Sequence, residues 1–121
     1  MEGENNQPKI EYSFYQERVQ RLEQVLWEIE IDLGNVRQKL DEAKQRFEDA
    51  EQDLGIEEKE ANRQFLERIK GWIEIEIGKY NGVIAGFEAR KREYEQKIGE
   101  SRNHGQAAQQ FLENFNPEKQ H

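Results

Sequence analysis

The chain has 121 residues, enough for one domain, with 34% hydrophobic residues, 36% charged residues and a net charge of −8. So small an apolar share excludes a layered globular core but suits long helices that bury one narrow seam. No run approaches the roughly 20 apolar residues of a membrane span, and the absence of cysteine excludes disulfides, thiol nucleophiles and cysteine zinc sites; a soluble, cytoplasmic protein is expected.

Residues 1–11 begin MEGENNQPKI, polar with Gly3 and Pro8, and read as a flexible N-terminal arm. Ser13 followed by Gln16 has the spacing of a capping box, which places a helix start there. From that point Tyr12, Tyr15, Val19, Leu22, Leu26, Ile29, Leu33, Val36, Leu40, Ala43, Phe47, Ala50 and Leu54 recur at alternating spacings of three and four. That 3.5-residue period is the pattern of a helix wound against another helix. Helix one is expected over about 13–54, ended by Gly55 in a left-handed conformation.

A second seam follows at Leu66, Ile73, Ile77, Tyr80, Ile84, Phe87, Tyr94 and Ile98, with Lys70 and Lys91 as polar interruptions. Helix two is expected over about 57–99, ended by Gly99. Within it, 73-IEIEIGKYNG-82 alternates like a half-buried strand and ends on the Asn-Gly of a hairpin turn. A shift of 44 residues brings 22-LEQVLWEIEIDLG-34 over 66-LERIKGWIEIEIG-78, an internal repeat whose first copy lies inside the unbroken seam. Helix is therefore favoured for 73–82 over a β-hairpin, despite Gly71, Gly78, Gly82 and Gly86. Residues 101–121 read as a linker, a short amphipathic C-terminal helix carrying Ala108, Phe111, Leu112 and Phe115 on one face, and a frayed tail. This element would fold back beside Phe14 and Tyr15 or meet a partner. The fold class is all-α: a long antiparallel two-helix coiled-coil hairpin over 12–100 with a short C-terminal helix.

Charge supports pairing of the two halves. Residues 1–60 carry 17 acids and 8 bases, residues 61–121 carry 9 acids and 10 bases, and unlike helices pair more specifically than like ones. The basic cluster 89-ARKREYEQK-97 is interleaved with glutamates, so salt bridges to helix one are favoured over phosphate contacts, and no nucleic-acid partner is expected. Catalysis lacks a constellation: His104 and His121 are the only histidines, neither has Glu-x-x-His spacing, and no phosphate loop follows a strand. No enzyme, metal or cofactor is expected.

The candidate interfaces are apolar residues off the seam. Trp27 and Ile31 fall on the outer face of helix one, Trp72 and Ile75 on that of helix two, and exposed apolar clusters mark partner surfaces. The spacing of Gly78, Gly82 and Gly86 would lay a smooth strip where another helix could approach. A hairpin turning near residue 56 would set Gly34 level with Gly78 as a crossing point. The expected function is a non-enzymatic coiled-coil adaptor or scaffold, a homo-oligomer with a further protein partner; a holdase-like chaperone or regulator that clamps a client with its ends and tail is the alternative.

Overall fold

The structure is a computed structural model that describes residues 2–114, with side chains from Tyr12 onward apart from that of Leu112. Two α-helices account for it: α1, Glu2–Ile56, and α2, Glu60–Asn114, each of 55 residues. The segment 73–82 is helical, and no strand occurs among the described residues.

The helices pack against each other within two compact units, Met1–Ile29 with Arg90–His121, and Glu30–Ala89. In both, every seam position read from the sequence is buried or half-buried. In the Glu30–Ala89 unit, Leu33, Leu40, Ala43, Ala50 and Ile73 form the buried core. The apparent defect at Lys70 is explained there. Its Nζ lies over the Phe47 ring, 5.2 Å from the centroid, and 3.3 Å from the Glu51 carboxylate, so the stem covers apolar surface while the charge stays paired.

The helix ends differ from expectation. α1 begins at Glu2, ahead of the Ser13 capping pattern. Gln16 does not reach back to Ser13; its Nε2 donates to the Tyr12 hydroxyl at 2.9 Å. Gly55 and Gly99 do not end helices, because no described residue has a positive φ and both glycines continue the helical path. A helical glycine costs only about 1 kcal/mol relative to alanine, and beyond Gly99 the packing continues at the buried Ser101, Gly105 and Ala108.

α1 instead stops after Ile56, and Glu57 organises the connection. The Glu57 carboxylate accepts from the Lys59 backbone N–H at 3.1 Å and from Asn62 Nδ2 at 3.3 Å, and its carbonyl accepts from Arg63 at 3.2 Å. One orphan donor at the start of α2 is thereby satisfied.

α2 runs unbroken through 101–114, where a linker and a separate short helix were expected. The seam continues from Ile98 through Ser101, Gly105 and Ala108, all buried, at the same three-four spacing. Phe115 lies outside the described residues.

Candidate interaction surfaces

In the Glu30–Ala89 unit the outer face of α2 carries four large exposed apolar side chains. Trp72 is 64% exposed, Ile75 60%, Phe65 58% and Val83 46%. They lie off the seam because the buried Ile73 and the half-buried Ile77 and Tyr80 occupy the neighbouring face at heptad spacing. On α1, Ile31 of this unit is 42% exposed, while Trp27, in the other unit, is 58% exposed.

Gly34 and Gly78 do not meet. A Cβ built on either has nothing within 4 Å, and the same holds at Gly82 and Gly86. Cross-helix pairs explain why. Arg37, three residues after Gly34 on α1, reaches Glu88 at 3.0 Å, and Glu88 lies ten residues, or about 15 Å along α2, from Gly78. α1 runs on to Ile56 and α2 starts only at Glu60, which moves the register from the one expected for a turn near residue 56. The close approach lies elsewhere: a Cβ on Gly105 would stand 3.4 Å from Tyr15 Cβ.

Electrostatics in the Glu30–Ala89 unit centres on Glu76. One carboxylate oxygen accepts from Arg46 at 2.9 Å and from the Tyr80 hydroxyl at 2.9 Å. The Arg46 hydrogen bond, then that of Tyr80, holds the Glu76 pKa below the usual carboxylate value. The same bond to Glu76 raises Tyr80, with desolvation adding to it, and the bond to Glu76 raises Arg46. An open groove of about 430 Å³ lies beside this cluster, bounded by Leu66, Ile69, Trp72 and Arg46.

In the other unit, Tyr12, Tyr15, Val19, Ser101, Gly105 and Gln109 line an open groove of about 380 Å³. Arg18 Nε donates to the buried Ser101 hydroxyl at 3.1 Å, and Arg102 pairs with Glu23. His104 lies within α2 rather than in a linker; its ring stacks on Tyr15, with centroids 5.4 Å apart. Phe111 is 48% exposed, and the Leu112 side chain lies outside the described residues.

The charge pattern is more mixed than one acidic helix facing one basic helix. Glu23 and Glu51 of α1 take cations from α2, but Arg37 and Arg46 of α1 take Glu88 and Glu76. Within the 89–97 cluster, Lys97 pairs with Glu93 one turn away on its own helix, at 3.1 Å. Neither helix is long and apolar enough to cross a membrane over the described residues.

Ser101 and Gly105 were missed by sequence reasoning because neither is strongly apolar; their spacing from Ile98 was the available signal. Phe65 and Val83 were also missed, although Phe65 stands one heptad before Trp72. Comparison with protein-family models, curated proteins and solved structures gives no match.

Proposed function

We propose that the chain is a non-enzymatic adaptor or scaffold, an antiparallel coiled-coil hairpin that acts through self-association and through binding another protein. The observation that carries this reading is the pairing of Trp72 and Ile75, both at least 60% exposed and one turn apart on a helix whose other face is already buried. Tryptophan is enriched among the residues that dominate binding energy, and leaving two such side chains in water has no folding advantage. The antiparallel arrangement is supported by the order of contacts in the Glu30–Ala89 unit: Arg37 with Glu88, Arg46 with Glu76, Glu51 with Lys70, rising along α1 and falling along α2. Trp27 and Ile31 offer further exposed apolar surface on α1, and Phe111 does so near the end of α2. The cysteine-free composition suits a cytoplasmic setting.

The test is sedimentation equilibrium of the full chain, alone and with captured partners, beside Trp27→Glu and Trp72→Glu. The expected result is concentration-dependent mass that the double variant lowers. A monomer at high concentration, with partner binding unchanged in the double variant, would sink the reading.

The groove between Tyr12, Tyr15 and Gln109 favours a second reading, a clamp for an extended client segment. Tyr12→Ala with Gln109→Ala should then abolish client protection in an aggregation assay and leave the oligomeric mass unchanged. Loss of neither would remove the clamp.

A further inference from the structure

The outer face of α2 has a heptad seam of its own. Phe65, Trp72, Lys79 and Gly86 stand seven residues apart, and Arg68, Ile75, Gly82 and Ala89 stand three residues after each. All eight positions are exposed, and all belong to the Glu30–Ala89 unit. Phe65, Trp72, Ile75 and Ala89 of these are apolar, so the stripe gives a second helical neighbour an a and d face to pack on.

The stripe is asymmetric along its length. Its first half is bulky, with Phe65, Arg68 and Trp72. Its second half is small, with Gly82, Gly86 and Ala89, and a Cβ on either glycine would meet open space. We propose that this stripe pairs with the same stripe of a second copy, α2 against α2 in antiparallel orientation, about a two-fold axis near Ile77. This deepens the self-association reading above and rests on it.

Size and charge both select that arrangement. With the axis near Ile77, each a position faces a d position of the second copy. Trp72 meets Gly82, Arg68 meets Gly86, Phe65 meets Ala89 and Ile75 meets Lys79, so every bulky group faces a small or flexible one. Parallel pairing would set Trp72 on Trp72, Arg68 on Arg68 and the glycines on each other, joining a like-charge contact to a void. In the antiparallel register the two copies' Arg68 side chains are far apart, and Lys79 stands beside Glu76 of the second copy. A two-fold contact is isologous and closes, which yields a dimer rather than a fibre.

The contact is about 36 Å long and about 10 Å wide, roughly 360 Å² per copy. That is less than half of the roughly 800 Å² per partner of a standard interface. The dimer is accordingly a weak, reversible one, populated at high local concentration.

Because the chain has no cysteine, single-cysteine variants report the geometry directly. The full-length Arg68→Cys and Gly86→Cys chains are oxidised each alone and, from the reduced state, as an equimolar mixture. The expected result is a cross-linked dimer in the mixture only, since like positions of the two copies would be about 27 Å apart along the axis. Cross-linking of either variant alone to the extent of the mixture overturns the antiparallel pairing. If the chain sediments as a dimer yet the mixture gives no cross-link, the α2 pairing is wrong while self-association stands; a monomer at every concentration removes both. As a second arm, Gly82→Leu with Gly86→Leu adds bulk at two exposed positions where a Cβ meets nothing within 4 Å. It should weaken dimerisation at least tenfold with helix content retained, and unchanged dimerisation would overturn the proposal.

Discussion

Between Glu30 and Ala89 the helices meet through Leu33, Leu40, Ala43, Ala50 and Ile73, with ion pairs along the rim. In the unit of Met1–Ile29 and Arg90–His121 the buried set is instead Ile29, Ile98, Ala108 and the polar Ser101, with Gly105 under Tyr15 and His104 stacked on it. The first unit gains mainly from removing aliphatic surface from water. The second fits a small groove floor beneath aromatic rings, and its fit depends on side-chain volume and on one hydroxyl being satisfied by Arg18.

The two chemistries should fail differently. The largest effect is expected at Leu33, which is 2% exposed: Leu33→Ala should cost about 2–3 kcal/mol, the lower part of the range for such cavities because a two-helix core can relax. Urea denaturation measures it, and a loss well under 1 kcal/mol would mean that Leu33 is not a core residue. In the other unit the sensitive change is an addition. Gly105→Leu should cost about 1–3 kcal/mol by overpacking against Tyr15. Near-ultraviolet circular dichroism of the tyrosines should report the displaced ring; an unchanged spectrum and stability would deny the close approach.

A smaller effect of opposite sign separates these glycines. Gly34→Ala and Gly78→Ala should each stabilise by about 0.5–1 kcal/mol, through helix propensity alone, because the added Cβ meets nothing. Destabilisation by both would restore a crossing at that level. The finest contrast is electrostatic. The Glu76 pKa is depressed in the folded chain, so its contribution is present above the ordinary carboxylate value of 4.5 and is lost as pH falls through the folded value. Arg46→Met should move the Glu76 titration, followed by carboxyl NMR, back toward that ordinary value and flatten the acid limb of stability. An unmoved titration would show that Arg46 does not set it.

The seam was readable because burial between two helices imposes a period that alternating spacings of three and four display openly. Every seam position from Tyr12 to Leu54 and from Leu66 to Ile98 is buried or half-buried. Where the helices end was not readable, since Gly55 and Gly99 permit a turn without requiring one. The extension of α2 through Ser101 and Gly105 was hidden because residues chosen for small size do not look apolar. Register failed with the ends: an error of a few residues at the connection displaces every expected cross-helix partner, as it did for Gly34 and Gly78. The outward placement of Trp27, Ile31, Trp72 and Ile75 followed from the same period and needed no knowledge of the ends.

The Glu57 connection also bears on the order in which structure forms. Its carboxylate and carbonyl gather Lys59, Asn62 and Arg63 within six residues, while the pairs Glu51–Lys70, Arg46–Glu76 and Arg37–Glu88 close progressively longer stretches of chain. Loop-closure entropy is smallest at the connection and grows slowly with each step outward. The Glu30–Ala89 unit can therefore nucleate at Glu57 and zip toward its far end, each turn formed shortening the search for the next.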